Sequence, residues 1–284
     1  MSGVVVLQSD FGMDSGLVAS MHGVCRRIDS TLVVEDLTHM IAAFDIESAA
    51  RILHYTMPCW PEGTVFVSVV DPGVGTDRRP CVARTANGFF VVTPDNGTLA
   101  FVKRYYGIDE VRQIDTSVHY FTGVERIDVF HGRDVFAYCA ALLAAGRVSF
   151  EEVGPTYPVD EVVGFVLPEH RIERGRALGT AFSENGNCED GFGVLMTNIP
   201  NRDFRASDFR FGDEVCIRLA DEGGRNVVET PVVFERSFGH VPYGEPILYP
   251  EVNTFLGLAL NRGNFCMRYG IESGKRYSLE IRKV

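Results

Sequence analysis

The chain has 284 residues, of which 45% are hydrophobic and 23% charged, so it can bury a sizeable core and is not a disordered protein. Its formal net charge of -11 disfavours nucleic acid and anionic membranes as partners, because both require a basic surface. Seven dispersed cysteines without a CxxC pair predict buried thiols in a reducing compartment and no metal site. We find neither a signal-peptide pattern nor a membrane-length apolar run, and we therefore expect a cytoplasmic protein.

Strand and helix patterns alternate in the first half of the chain. Short β-branched apolar runs predict strands, and apolar residues at helical spacing predict helices. The predicted strands are Val4 to Leu7, Leu32 to Leu37, Thr64 to Val70 and Phe89 to Thr93, and the predicted helices are Gly16 to Arg27, Asp45 to Thr56 and Val135 to Ala145. This alternation predicts an α/β N-terminal domain over residues 1–168 with a mostly parallel sheet.

The pattern changes after about Pro168. A charged stretch from Leu167 to Gly175 is the predicted linker, and short strand-like runs separated by Gly and Asn clusters follow it. These runs are Ala177 to Ser183, Val194 to Thr197, Glu214 to Leu219, Val227 to Phe234 and Arg276 to Ile281, with one helix-like piece at Leu256 to Asn261. The second half is therefore predicted to be a smaller antiparallel β domain over residues 175–284.

Reactive side chains follow the predicted strands of the first domain. Asp10 follows the first strand, Asp71 and Arg78 follow the third, Asp95 follows the fourth, and His131 precedes the alanine-rich helix. Ligands of open α/β sheets bind beyond the carboxyl ends of the strands, so these groups are expected at one edge. Each also has a structural interpretation, as a turn or cap aspartate, a surface arginine or a structural histidine. Their convergence favours an active site.

Other reactive motifs are incomplete. The Asp-Phe-Gly at Asp10 lacks the upstream catalytic loop of a kinase, and the chain has no GxSxG elbow. The Gly73-Val74-Gly75 run lacks the third glycine of a dinucleotide loop, and neither a phosphate loop nor an HExxH motif occurs.

With these residues in view, the sequence resembles the S-adenosylmethionine hydroxide adenosyltransferases, a family related to the enzymes that make fluoro- and chloro-adenosine. The resemblance spans nearly the whole chain and rests on the order and spacing of short blocks. These blocks are Ser9-Asp10-Phe11-Gly12, Asp71-Pro72-Gly73-Val74-Gly75-Thr76 with Arg78, Pro94-Asp95-Asn96-Gly97, Phe130-His131-Gly132-Arg133-Asp134, Asp190 with Phe192-Gly193, Thr197-Asn198-Ile199 and Asn261-Arg262-Gly263-Asn264. The resemblance implies an N-terminal α/β domain, a C-terminal β-barrel-like domain, and a homotrimer with sites between subunits.

The resemblance also implies roles for single residues. Asp71, Arg78 and His131 match the set that handles the attacking water, and Asp10 matches the acid that binds both ribose hydroxyls. The other matched positions contact the rest of the substrate: Phe130 and Gly132 around the 5′ carbon, Phe44 as an aromatic wall, Asp190 and Phe192 from the second domain, and Phe238 stacked on adenine. Two positions depart from the family pattern, because Ser15 replaces an acid that holds the methionine ammonium and Val194 replaces an asparagine at the adenine edge.

The implied reaction is hydrolysis of S-adenosylmethionine at C5′ to adenosine and methionine. The sulfonium leaves as a neutral thioether, so no cofactor and no general acid are expected. Two alternatives remain: halide transfer to the same carbon, which the carboxylate of Asp71 disfavours by charge repulsion, and a non-catalytic S-adenosylmethionine or adenosine sensor. A product assay distinguishes them.

Overall fold

The computed structural model describes residues 3–183, 191–252 and 254–284, and the chain divides into two compact units between Phe165 and Val166. The first unit carries one sheet with helices around it. Its strands are β1 (Val4–Ser9), β2 (Val33–Thr38), β3 (Val65–Val69), β4 (Pro80–Thr85), β5 (Phe90–Pro94), β6 (Ile108–Gln113) and β7 (Thr156–Tyr157). Its α-helices are α1 (Leu17–Ile28), α2 (Ile46–Thr56), α3 (Ala100–Tyr105) and α4 (Tyr138–Ala144), with a π-helical segment at Gly132–Ala137 and short 3₁₀ turns at Met57–Cys59, Phe150–Val153 and Val159–Glu161.

The sheet of the first unit has the strand order β2-β1-β3-β5-β4-β6-β7. Strands β2, β1, β3 and β5 pair in parallel, whereas β4, β6 and β7 are added by antiparallel pairing. Val5 and Leu7 belong to one hydrophobic cluster and Val6 to another, so β1 is covered on both faces, as is typical of a central parallel strand. The predicted α/β class is confirmed.

The helix that follows β2 shows how local sequence sets an element boundary. The side chain of Asp45 accepts a hydrogen bond from the backbone N–H of Ser48 at 2.9 Å, which satisfies one donor of the first turn of α2. The predicted helix at Val135 begins earlier than expected, because the π-helical turn from Gly132 leads directly into α4. Such π turns are frequent at functional sites.

The second unit is a closed β-barrel with one additional strand. Its strands are β8 (Arg171–Glu173), β9 (Arg176–Phe182), β10 (Leu195–Pro200), β11 (Glu214–Ala220), β12 (Asn226–Phe234), β13 (Pro246–Pro250), β14 (Phe255–Leu260) and β15 (Arg276–Lys283). Its helical pieces are α5 (Asn201–Ala206), α6 (Phe265–Tyr269) and a 3₁₀ turn at Phe238–His240. The barrel strands follow the order β10-β14-β13-β12-β11-β15-β9, and pairing of β9 with β10 closes the barrel. Strand β8 pairs with the first residues of β9.

The barrel confirms the predicted architecture of the second domain, and its interior holds a stacked pair of rings from Phe204 and Phe209, 4.3 Å apart. All pairings in it are antiparallel except that of β12 with β13. The helix-like piece predicted at Leu256 to Asn261 is wrong: these residues form β14, since a short apolar run cannot distinguish a buried strand from a helix by periodicity. Part of the predicted linker, Arg171–Glu173, pairs with β9 as β8.

None of the helices in the described ranges is long and apolar enough to cross a membrane.

Candidate active site

Asp71 and Arg78 are brought together by the loop that follows β3. Asp71 stands two residues after the end of this strand, and the chain then turns back through two tight turns, with hydrogen bonds from Val74 to Asp71 and from Thr76 to Gly73. A Cβ on Gly73 would lie 3.1 Å from Cγ of Arg78, so glycine lets the arginine stem pass close to the loop backbone.

The two side chains form a bidentate ion pair. Nε of Arg78 donates to both carboxylate oxygens of Asp71 at 2.9 Å, and Nη2 donates to Oδ2 at 2.5 Å. The side chain of Arg78 is only 10% exposed and that of Asp71 only 5%. The guanidinium lies 5.2 Å from the ring centroid of Phe136 in the π-helical turn. A planar guanidinium held on both oxygens fixes the carboxylate in one orientation.

His131 completes the cluster from the start of the π-helical turn. Nη2 of Arg78 lies 2.8 Å from Nδ1 of His131. Arginine can only donate, so Nδ1 is the acceptor and the neutral ring carries its proton on Nε2. Burial and, next, the positive charge of Arg78 lower the pKa of His131 below its ordinary value of 6.5. The ring therefore stays neutral at physiological pH, and within the described residues Nε2–H has no hydrogen-bond partner.

The turn after β1 presents a second carboxylate. Oδ2 of Asp10 accepts a hydrogen bond from the backbone N–H of Phe44 at 2.9 Å, and its other lone pairs remain available to a ligand. Phe44 has a φ of 71° and its side chain is 70% exposed. A left-handed backbone is unfavourable for a residue with a large side chain, and such strain is concentrated at ligand sites.

Phe130 and Gly132 form an apolar wall with Phe11. The rings of Phe11 and Phe130 meet edge to face, with centroids 5.7 Å apart and planes at 69°. A Cβ on Gly132 would lie 3.0 Å from the ring of Phe11, so a larger residue there would displace this wall. Phe11 was assigned no role from the sequence, although it lies inside the first block of the resemblance.

Asp95 and Ser15 lie in loops that follow strands of the first sheet. Asp95 is buried and accepts hydrogen bonds from the Val163 N–H at 2.8 Å and the Tyr157 hydroxyl at 3.0 Å, with Arg79 3.3 Å away. The sequence predicted Asp95 among the reactive groups. In the structure, its carboxylate anchors the end of the first unit. Ser15 is exposed in the loop before α1, and its Oγ lies 3.5 Å from the backbone nitrogen of Leu17.

The second unit contains a cavity of about 470 Å³. Its wall includes the last block of the resemblance together with two aromatic side chains: Phe192, Phe238, Asn261, Arg262, Gly263 and Asn264. Phe192 is 85% exposed and Phe238 37% exposed, and the ring of Phe238 packs 4.9 Å from that of Tyr249. Val194 also lines this cavity. The predicted contact Asp190 lies outside the described residues.

The acidic and histidine side chains that the structure describes form no cluster of three or more suited to a metal ion.

Two family models match the chain. The N-terminal domain model of the SAM hydroxide adenosyltransferases matches residues 5–154, and the C-terminal domain model of the same family matches residues 188–278. The chain belongs to this family. Within the hydroxide adenosyltransferases, the (R)-S-adenosyl-L-methionine hydrolase of Thermus thermophilus is 33% identical, covering 95% of this chain and 96% of the relative. The enzyme of the same name from Salinispora tropica is 30% identical, covering 94% of each chain.

A crystal structure of a similar protein supports the fold over nearly the whole chain. An uncharacterized conserved protein from Thermotoga maritima superposes with a TM-score of 0.87 at 30% identity, covering 98% of this chain and 99% of the other. A fluorinase from an Actinoplanes species is more distant in sequence, at 26% identity over 95% of both chains. The relatives that the chain resembles thus include proteins named hydrolase and proteins named fluorinase.

Proposed function

We propose that this protein hydrolyses S-adenosylmethionine at C5′ to adenosine and methionine, with Asp71, Arg78 and His131 handling the water. The arrangement of these three side chains carries the proposal. It combines a fixed carboxylate acceptor, a permanent cation and a neutral imidazole with a free N–H donor. Such a set can hold a water or hydroxide in one orientation, which is the main task when the leaving group needs no assistance.

The hydrogen-bond directions support a separate part for each group. Nδ1 of His131 is engaged by Arg78, so the ring cannot take a proton there without losing that bond. His131 instead donates from Nε2 to the attacking oxygen, while Oδ1 of Asp71, which accepts only from Nε of Arg78, accepts the proton of the water. The oxygen bonds to C5′, the C5′–S bond breaks, and its electron pair stays on sulfur in neutral methionine. The proton passes from Asp71 to solvent.

The other predicted residues bind the substrate. Asp10 can accept hydrogen bonds from the ribose diol, since one carboxylate serves two hydroxyls. Phe44, Phe130 and Gly132 surround the 5′ carbon and exclude bulk water. Phe192 and Phe238 of the second unit supply aromatic surface for adenine, with Asp190 as an additional contact. Because the relatives are named for the (R) form of the substrate, we extend the proposal to that sulfonium epimer, and separate assays with each epimer test the extension.

The decisive experiment is hydrolysis in oxygen-18 water, followed by mass spectrometry of the nucleoside. The label is expected in the 5′-hydroxyl of adenosine, because water is the nucleophile. Unlabelled adenosine would mean that the 5′ oxygen comes from a group other than water, and binding without any product would identify a sensor in place of an enzyme.

Halide transfer is the second candidate, motivated by the fluorinase relatives. A halide bound beside the buried carboxylate of Asp71 would be repelled, which disfavours this reaction here. Assays in fluoride and in chloride are therefore expected to yield adenosine alone. Formation of 5′-halogenated nucleoside at a comparable rate would reverse the assignment.

We further propose a cofactor-independent cytoplasmic homotrimer whose sites join the first unit of one subunit to the second unit of the next. No cofactor is needed because the thioether leaves uncharged, so dialysis against a chelator should not change the rate. Chains carrying Asp71→Asn are mixed with chains carrying Asp190→Ala, after subunit exchange has been demonstrated. Recovered activity supports shared sites, and no recovery in proven mixed trimers places each site within one chain.

A further inference from the structure

A buried hydrogen-bonded chain lies behind the turn that carries Asp10. Ser9, the last residue of β1, has its Oγ 2.7 Å from Nδ1 of His39, which directly follows the neighbouring strand β2. Nε2 of His39 lies 3.0 Å from Oδ1 of Asp36 on β2, and the same oxygen contacts His22 of α1 at 2.8 Å. Two parallel strands that end side by side thus place a serine, a histidine and an aspartate in line.

This chain has the connectivity of a nucleophilic triad, but its exposure excludes that chemistry. Ser9 is 0% exposed and the side chain of His39 is 1% exposed, so no substrate reaches the hydroxyl. Asp36 is partly buried, which opposes ionisation, but hydrogen bonds from His39 and His22 outweigh that effect and lower its pKa. As an ionised acceptor, Asp36 requires Nε2 of His39 to be the donor, which leaves Nδ1 as an acceptor in the neutral ring.

The direction of each bond follows from that assignment. The hydroxyl of Ser9 donates to Nδ1 of His39, so its oxygen is free to accept the backbone N–H of Phe11 at 3.2 Å. The carbonyl of His39 also accepts the N–H of Gly12 at 2.8 Å. Asp10 therefore lies in the chain between Ser9 and Gly12, which both hydrogen-bond to His39. Its own carboxylate accepts from the N–H of Phe44.

We propose that His39, acting through Ser9, is a positioning residue that aims the carboxylate of Asp10 at the ribose diol. The inference rests on the proposed function, since it assumes an adenosyl ligand. Replacing the His39 side chain leaves the carbonyl bond to Gly12 in place, so the turn keeps its backbone tether. The replacement removes the acceptor that orients the Ser9 hydroxyl. The hydrogen bond from the Phe11 N–H to that hydroxyl, and with it the orientation of Asp10, is then no longer fixed.

The test measures how strongly the protein distinguishes adenosine from 2′,3′-dideoxyadenosine, by calorimetry on the full-length assembled protein. The ratio of the two dissociation constants reports the diol contact, and a general loss of stability does not change it. Asp10→Ala sets the floor of this ratio. Ser9→Ala and His39→Leu are expected to lower it roughly tenfold, as for a lost hydrogen bond to a charged group. His39→Asn, whose Oδ1 can replace Nδ1 as acceptor, should retain most of it.

Ser68→Ala is the matched control, because Ser68 is an equally buried serine on the adjacent strand β3 whose hydroxyl accepts from Gln8 and does not touch the turn. Its ratio should equal that of the wild type. An unchanged ratio in folded Ser9→Ala and His39→Leu, or an equal loss in Ser68→Ala, overturns the assignment. Wild-type protein that does not bind adenosine at all overturns the proposed function itself. If the wild-type protein binds adenosine much more tightly than 2′,3′-dideoxyadenosine, the proposed function stands, and the variants then test the role of His39 alone.

Discussion

The side chains of the polar cluster in the first unit are far less exposed to solvent than the aromatic side chain of Phe192 at the cavity of the second unit. The side chains of Asp71 and Arg78 are 5% and 10% exposed and bond to each other and to His131, whereas Phe192 is 85% exposed at the rim of an open cavity. Groups that stabilise charge act best when they are oriented before the substrate arrives. Aromatic rings that bind a nucleoside can remain exposed until the ligand covers them. The comparison predicts that the first region controls the rate and the second the affinity.

The largest expected effect is at the polar cluster. Asp71→Asn and His131→Ala should each lower kcat by roughly a hundredfold or more, the usual contribution of a positioned acid–base group, with little change in substrate binding. Single-turnover assays and calorimetry measure the two quantities separately. Asp77→Asn, the same change at an exposed position of the same loop, is the control and should be silent. Near-normal kcat in either variant would assign that residue a structural role.

A change in the second unit should act on affinity alone. Phe238→Ala removes a ring expected to stack on adenine, and stacking contributes about 1–3 kcal/mol, so KM should rise roughly tenfold with kcat unchanged. Phe238→Tyr keeps the ring and should restore the wild-type KM. If Phe238→Ala lowers kcat and leaves KM unchanged, the division of labour between the two regions is wrong.

Ser15 offers a smaller effect in the first unit. Ser15→Asp replaces a dipole with a charge at the position where the family resemblance implies a contact with the methionine ammonium, so KM should fall by roughly fivefold and kcat should not change. Ser15→Asn is the control, because asparagine has the shape of aspartate but lacks its charge. A KM that is equal or higher in Ser15→Asp means that another residue binds the ammonium.

The smallest effect concerns the protonation of His131. Arg78→Gln removes a positive charge that holds the His131 pKa down, while the charge of Asp71 remains, so the pKa of His131 should rise. An NMR titration of the ring protons measures this, and the spectrum of His131→Ala identifies the signal. Arg79→Gln, at the adjacent arginine bound to Asp95 and Glu161, should leave the titration unchanged. A pKa that does not move would show that the charge of Arg78 does not lower the pKa of His131.

The candidate site could be predicted in part, because its polar residues flank strands and a helix that are visible as apolar patterns. The strand-end rule predicts Asp71 at this edge of the sheet, and His131, 60 residues later in the chain, is expected there because it precedes the predicted alanine-rich helix. The same rule also placed Asp95 there, where the structure instead uses it to anchor Val163. The rule gives the location of a side chain, whereas neighbouring donors decide what that side chain does.

Val194 shows a similar limit in the second unit. From the sequence it is a departure that removes a hydrogen bond to adenine. In the barrel it is 7% exposed and belongs to an apolar cluster with Val241, Ile247 and Tyr249. Valine therefore stabilises this packing, and an asparagine at this position would need a polar partner in the cavity.

By itself the sequence determined the alternation of strands and helices, the change to a β domain and the set of reactive residue types, because hydrophobic periodicity and turn chemistry are local properties. Only the tertiary structure decided three other features: the antiparallel half of the first sheet, the closure of the barrel through β9 and β10, and the direction of the hydrogen bonds from Arg78 to His131. The Ser9–His39–Asp36 chain belongs with these, since its members meet only when β1 and β2 pair. Pairing partners and donor directions depend on contacts between residues that are distant in the chain, which no local pattern records.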